Sequence, residues 1–276
     1  MVDDTSATES VPGDDSLDSH HGGVTDAPVR VTVRTDALSP LLSAVGALVD
    51  ECRLTFAADG LRAAAMDPAT VAAVEVELDA DATQSYTADG TTVGVDVDRL
   101  ADVLAMGDGD DLVTLALDPE AYRLHVRVGE LEYALGLFDP ESVRGPGDIE
   151  ALGFESTAAL TLPGETVGRF VRAAGMVADH LTLAVDPAEE AFVAAADGDT
   201  DDVRFVVPRE DTAAFDAGEA QSLFSLSYLE CVERPVPSGT DVRVTLGEEA
   251  PLGVAYEVAD GGGRVEAFVA PRLQAV

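Results

Sequence analysis

The feature that most limits what this chain can fold into is an internal repeat. Gly94-Val95-Asp96-Val97-Asp98-Arg99-Leu100 lies against Leu223-Phe224-Ser225-Leu226-Ser227-Tyr228-Leu229, and Asp111-Leu112-Val113-Thr114-Leu115 lies against residues 241–245. The periodic segments around these matches follow the same order in both halves. The economical reading is a duplication of about 130 residues, one supersecondary plan used twice.

In the first copy, residues 29–34 alternate as a strand does. Asp36 is placed to cap a helix with Leu38, Leu41, Leu42, Val45, Leu48 and Val49 on one face. Strand patterns follow at 53–57, 61–66, 71–78 and 92–97, then a short helix from Asp98 with Leu100, Val103 and Leu104 inward. Residues 112–117, 122–128 and 131–138 read as antiparallel strands joined by Asp-Pro-Glu and Gly-Glu turns. In the second copy, a strand at 159–162 leads into a helix with Pro163 in its first turn and Val167, Phe170, Val171, Ala174 and Val177 inward. Strands at 181–185, 191–196, 203–207 and 221–224 come next, then a helix carrying Leu226, Leu229 and Val232, then strands at 242–246, 252–258 and 264–269. The expected class is α+β, with two similar domains that each pack two helices on one face of antiparallel sheets.

An open sheet leaves edges. The apolar edge candidates fall in different halves: Leu131, Tyr133 and Leu135 on one strand, Val203, Phe205 and Val207 on the other. Pairing one with the other from a neighbouring chain would close a head-to-tail ring. Between the halves, residues 139–156 are rich in Pro, Gly and acids and read as an extended connector. Leu152-Gly153-Phe154 departs from that character, since a solvated tether has no reason to carry two large apolar side chains. The expected division is an acidic disordered tail at 1–27, domains at 28–138 and 157–276, and the connector between them.

With 46% hydrophobic residues the chain can bury a real core, yet its net charge is -37, from 53 acids against 16 bases, and every base is arginine. The acids are spread rather than blocked, which speaks against a disordered chain or a nucleic-acid mimic. At about 1 M salt the Debye length is only about 3 Å, so such a surface suits a salt-rich cytoplasm. Cys52 and Cys231 lack the paired spacing of zinc or redox sites and read as buried thiols at helix ends. His20-His21 alone is weak evidence for a metal, so no metal and no cofactor is expected. No apolar run is long enough to span a membrane, and the acidic start is unlike a signal peptide. Nucleophile-elbow, phosphate-loop and zinc-protease motifs are missing, and Asp179-His180 reads as capping or solvated, so no catalysis is expected.

Several stretches carry a resemblance: Leu48-Val49-Asp50-Glu51-Cys52, Met66-Asp67-Pro68, Gly94-Val95-Asp96-Val97, Leu152-Gly153-Phe154, Ser222 through Leu229, Pro251-Leu252 and Ala270-Pro271-Arg272. In this order and spacing the chain, from Val29 to about Leu273, resembles the DNA sliding clamps of the proliferating-cell-nuclear-antigen type, most closely the haloarchaeal members with their Asp-rich surfaces. The resemblance implies a DNA-clamp fold and a homotrimeric ring, with helices lining a hole threaded on double-stranded DNA. It also implies partners: DNA polymerase, clamp loader, nuclease and ligase, each docking a short motif with apolar and aromatic anchors.

Carried over by position, the partner pocket would comprise Met66, Leu152, Gly153, Phe154, Pro251, Phe268, Ala270 and Pro271. Without the resemblance, Met66, Pro251 and Phe268 would read as core beneath a loop; Leu152 and Phe154, on a polar connector, resist that reading better. The DNA-facing set would be Arg99, Arg169, Arg172 and Arg234, the alternative for the Arg169 and Arg172 pair being solvated surface arginines. Gly46, Asp102, Ala105 and Ser227 stand where many clamps are basic. Two functions therefore stay open: a processivity clamp, or a diverged paralogue acting as an interaction module or mixed-ring subunit with weak or no DNA tethering.

Overall fold

A computed structural model describes residues 27–145 and 156–272. Most of the expected tail, with His20 and His21, lies outside the described residues, as do Leu152, Gly153 and Phe154. The first half runs β1 (Arg30–Arg34), α1 (Thr35–Gly46), β2 (Glu51–Ala57), β3 (Gly60–Met66), β4 (Ala72–Asp79), β5 (Ser85–Thr87), β6 (Thr91–Asp96), α2 (Val97–Leu104), β7 (Leu112–Asp118), β8 (Arg123–Val128) and β9 (Leu131–Gly136). The second half repeats that order as β10 (Ala158–Pro163), α3 (Gly164–Ala174), β11 (His180–Asp186), β12 (Ala191–Asp197), β13 (Asp202–Pro208), β14 (Ala214–Asp216), β15 (Ala220–Ser225), α4 (Leu226–Glu233), β16 (Asp241–Leu246), β17 (Leu252–Val258) and β18 (Gly263–Val269).

Each half makes one sheet of five strands and one of four, all antiparallel. In the first half the orders are β5-β1-β7-β8-β9 and β4-β3-β2-β6; in the second they are β14-β10-β16-β17-β18 and β13-β12-β11-β15. The second half's five and the first half's four are fused into one nine-stranded sheet, because β18 pairs with β4 from Gly263↔Leu78 to Val269↔Ala72. Strand alternation sends Val, Leu and Phe to one face, where the four helices cover them in a continuous apolar core. The opposite face of the same strands carries Arg53, Arg62, Glu77 and Arg264 and is wet.

Several expectations need correction. Asp36 is not a cap: it sits in the first turn of α1 and binds the Arg34 guanidinium. The orphan donors of that turn are met instead by a loop, Thr35 N–H reaching the Asp111 carbonyl and Asp36 N–H that of Gly109, both at 2.9 Å. Asp96 caps α2, accepting the Arg99 N–H at 2.9 Å. Pro163 closes β10 opposite Asp241 rather than opening α3, and Val177 lies past the helix end. Cys52 is buried mid-sheet on β2, where burial pushes its thiol up to about 12. The short strands β5 and β14 gave no periodic signal, because three residues are too few to show one.

Candidate functional site

Among the described residues there are six sheet edges, and the chain treats them differently. β5 and β14 are three-residue strands. β6 is met by Phe138, two residues past the end of β9: Phe138 and Gly94 exchange backbone hydrogen bonds at 2.9 and 3.0 Å. β15 is covered near both ends, Glu249 N–H donating to the Gln221 carbonyl and Arg272 N–H to that of Leu223. Among the described residues, that leaves β9 and β13 as the long edges with no further strand beside them. The expected edge residues are here: Leu131 and Tyr133 are half-buried and Leu135 buried, Val203 and Phe205 half-buried and Val207 buried. Apolar rows on uncovered edges invite pairing.

The start of the connector lies on the wet face. Gly94 carries no side chain because Val143 and Phe138 occupy that space; a Cβ there would come within 2.8 Å of Val143. Arg53 Nε donates to the Val143 carbonyl at 3.0 Å, and Arg144 Nη1 reaches the Pro68 carbonyl at 3.1 Å. The segment thus crosses β6 and β2 and heads for the turn between β3 and β4.

That turn borders an apolar strip on an otherwise charged face. Register places Met66, Ala73, Phe268 and Gly253 in one row across β3, β4, β18 and β17. Met66 and Phe268 are therefore two strands apart, about 10 Å, with Ala73 as a low floor between them. Ala270 and Pro271 follow β18, and Ala270 N–H donates to the Val71 carbonyl at 2.7 Å. Pro251 enters β17 from a loop held by Ser222, a buried residue whose hydroxyl accepts from Ala250 N–H at 3.0 Å. Met66, Pro251, Phe268, Ala270 and Pro271 are all half-buried, so none belongs to the inner core. Their strip can take large apolar side chains and can give them a desolvated contact.

The turn itself is built on Asp67, which sequence reasoning quoted but gave no task. Its carboxylate accepts four hydrogen bonds: Val71 N–H (2.6 Å) and Ala72 N–H (2.7 Å) on Oδ1, Ala69 N–H and the Tyr228 hydroxyl (both 2.9 Å) on Oδ2. Burial alone would raise this carboxyl, but the donors outweigh it and hold the group below its ordinary value. An Asp before a Pro in a strand-to-strand turn was the available signal; its partner on α4 was not legible.

The helix layer presents the expected arginines unevenly. Arg169 and Arg172 are exposed on α3, and Arg234 stands at the C-terminal end of α4. They flank carboxylates: Glu165 and Glu233 share an open groove of about 330 Å³ with Arg169 and Arg172. The helices approach so closely here that a Cβ at Gly168 would fall on Glu233 Oε1. Arg169 also stacks over the Phe205 ring, 5.2 Å from its centroid, and so leans towards the open edge of β13. Sequence reasoning put these two residues in separate sites, and the fold brings them together. In the first half only Arg99 is basic on α2, and its Nε lies 3.6 Å from Asp96. His180 contacts Arg272. Among the described residues, no three His, Cys, Asp or Glu side chains are grouped to hold a metal, and no helix is long and apolar enough to cross a membrane.

A duplicated unit with helices on one face, and one long open edge in each half, defines a class of clamp-like building blocks. The chain belongs to the proliferating cell nuclear antigen family of DNA polymerase sliding clamps. Residues 32–129 match the family described as "Proliferating cell nuclear antigen, N-terminal domain". The chain is 42% identical over 245 residues to the DNA polymerase sliding clamp of Natronomonas pharaonis, covering 89% of this chain and 98% of that protein. It is 34% identical to that of Methanosarcina barkeri over 89% and 98% of the two chains. Among solved structures, A. fulgidus PCNA bound to the C-terminal region of FEN-1 superposes with a TM-score of 0.83 at 31% identity, covering 90% of this chain and 100% of that one. PCNA from Thermococcus kodakaraensis shares the fold, with a TM-score of 0.80 at 23% identity, covering 88% of this chain and 100% of that one.

Proposed function

We propose that this chain is a sliding clamp: a homotrimeric ring that encircles double-stranded DNA and tethers a polymerase, nuclease or ligase through the strip beneath the connector. The observation that carries the reading is the junction between β18 and β4. In the repeat, β18 is the counterpart of β9 and β4 that of β13. The chain joins the first pair and leaves the second open, so β9 of one copy meeting β13 of the next repeats a contact the molecule already makes. Continued head to tail, that contact closes a ring, and the helix layer becomes its inner wall. The domains proposed are 28–138 and 157–276, joined at 139–156.

The inner wall reads phosphate charge, not bases, through Arg169, Arg172, Arg234 and Arg99. In molar salt counterion release supplies little affinity, so a closed ring holds DNA by topology and few cations suffice. The partner groove uses Met66, Pro251, Phe268, Ala270 and Pro271, with Leu152, Gly153 and Phe154 from the connector. The protein works as a non-enzymatic scaffold, without a metal or cofactor, in a salt-rich cytoplasm. A clamp loader opens the ring.

The test is retention on nicked circular DNA in molar potassium chloride after loading. A clamp stays on the circle and leaves when the DNA is cut to linear form. A second reading, an interaction-only paralogue or mixed-ring subunit, draws on the acidic first-half wall, where Asp98 and Asp102 outnumber the paired Arg99. It predicts partner binding without retention. Phe154→Ala should weaken a partner peptide by about 1 to 3 kcal/mol in calorimetry and leave the assembly mass unchanged.

A further inference from the structure

Hydrogen bonds around Asp67 form a closed circuit that joins the partner groove to the inner wall. Starting on α4, the Tyr228 hydroxyl donates to Asp67 Oδ2 at 2.9 Å, a link across 161 residues. The other three bonds to that carboxylate are local, from Ala69, Val71 and Ala72, and they shape the turn without saying where it sits. From the same turn, Val71 holds Ala270 N–H and Pro68 holds the Arg144 side chain. Two residues on, Arg272 N–H donates to the Leu223 carbonyl on β15, the strand that runs directly into α4. The circuit returns to its start.

Four acceptor sites on Asp67 serve four donors, so the carboxylate, which is 5% exposed, has no capacity left for water. Tyr228 is one residue from Ser227, which is exposed on the helix layer, and Met66 is one residue from Asp67. The phenol is thus the side chain that references the β3–β4 turn, and with it Met66, Ala270 and the connector's first anchor, to a helix of the inner wall. We propose that Tyr228 is a positioning residue for the partner groove: it sets the height of the Asp67 turn against α4, so that groove occupancy and the inner wall are mechanically coupled. This rests on the groove reading above, and the control below separates the two.

The experiment titrates the full chain in molar potassium chloride with a synthetic peptide carrying one aliphatic and two aromatic anchors, and it follows amide hydrogen exchange. Tyr228→Phe keeps the ring and removes one charge-assisted bond, so affinity should fall about tenfold. Exchange at Ala69, Val71, Ala72 and, in the other half, Ala270 should quicken, with the assembly mass unchanged. A merely destabilised chain would quicken exchange throughout instead. In the unmodified chain, saturating peptide should slow exchange at the α4 amides of Leu229 and Glu230, which the strip does not include; no change there overturns the coupling even if the variant fails to fold. Phe268→Ala is the control. If it weakens the peptide and Tyr228→Phe does not, the coupling alone is wrong. If neither does, the groove reading is wrong and takes the coupling with it.

Discussion

Two pairs of repeat-related strands in this molecule, β18 with β4 and β9 with β13, have the same parts and different fates: the first is joined and the second left open. At the joined one, the inward rows are sealed: Val74, Val76 and Leu78 on β4 are 1–2% exposed, and Val265, Ala267 and Val269 on β18 at most 3%. At the open one, the counterparts Val203 and Phe205 on β13, and Leu131 and Tyr133 on β9, are only half-buried. The strand pattern is alike in both; what differs is whether a covering strand arrives. If the ring proposed above forms, the half-exposed row is the one that a strand of the neighbouring copy would cover, as β18 covers β4 within the chain.

The sharpest way to break this comparison is a charge in the open row. Phe205→Asp should leave each chain folded by circular dichroism yet raise the dissociation constant of the assembly by about a thousandfold, read as single-chain mass in light scattering. An unchanged mass would mean that β13 is not a junction. Leu78→Ala on the joined side should behave oppositely. It should cost about 3 kcal/mol of folding stability in denaturant titrations, a loss of the same size at every chain concentration, and leave the dissociation constant of the assembly unchanged.

Acid sharpens the contrast next. Asp67 ties the joined side to α4, and its carboxyl is held below the unfolded value by backbone and Tyr228 donors that outweigh its burial. A depressed carboxyl adds stability above the ordinary carboxylate range and loses it as pH falls through the lowered folded value. Thermal melts from neutral pH downward should therefore show an acid-sensitive component that Asp67→Asn lacks. The smallest effect belongs to the inner wall. Replacing Arg169 and Arg172 with alanine should make the salt dependence of DNA binding shallower by about two in log–log slope, while retention on circles in molar salt changes little. A large loss of retention would mean that these side chains, rather than closure of the ring, hold the DNA.

The helix layer also shows how loosely the fold constrains its surface. α1 and α3 occupy equivalent places, yet the exposed side of one offers Asp36 and Ser43 and that of the other Arg169 and Arg172. The buried stripes on both, Leu38, Leu41, Leu42 and Val45 against Val167, Phe170, Val171 and Ala174, are what the backbone requires. The exposed faces carry no such requirement and differ freely in charge.

Much of the fold is legible in the residue order, and for a physical reason. Alternation and helical periodicity are local consequences of burial, so the longer strands, the four described helices, the repeat and the two apolar edges could be read from residue order alone, whereas the three-residue β5 and β14 could not. Caps, contacts and registry were not, because they depend on partners distant in the chain. Asp36 looked like a cap until a loop around Gly109 took its place, and nothing in the order of residues aims Tyr228 at a carboxylate 161 positions away. Nor could it reveal that β18 would seal β4, or that Arg169 would rest on Phe205. The chain's own pattern determined which residues hide from water; only the folded arrangement decided which apolar rows are covered by a further strand of the same chain and which stand at an open edge.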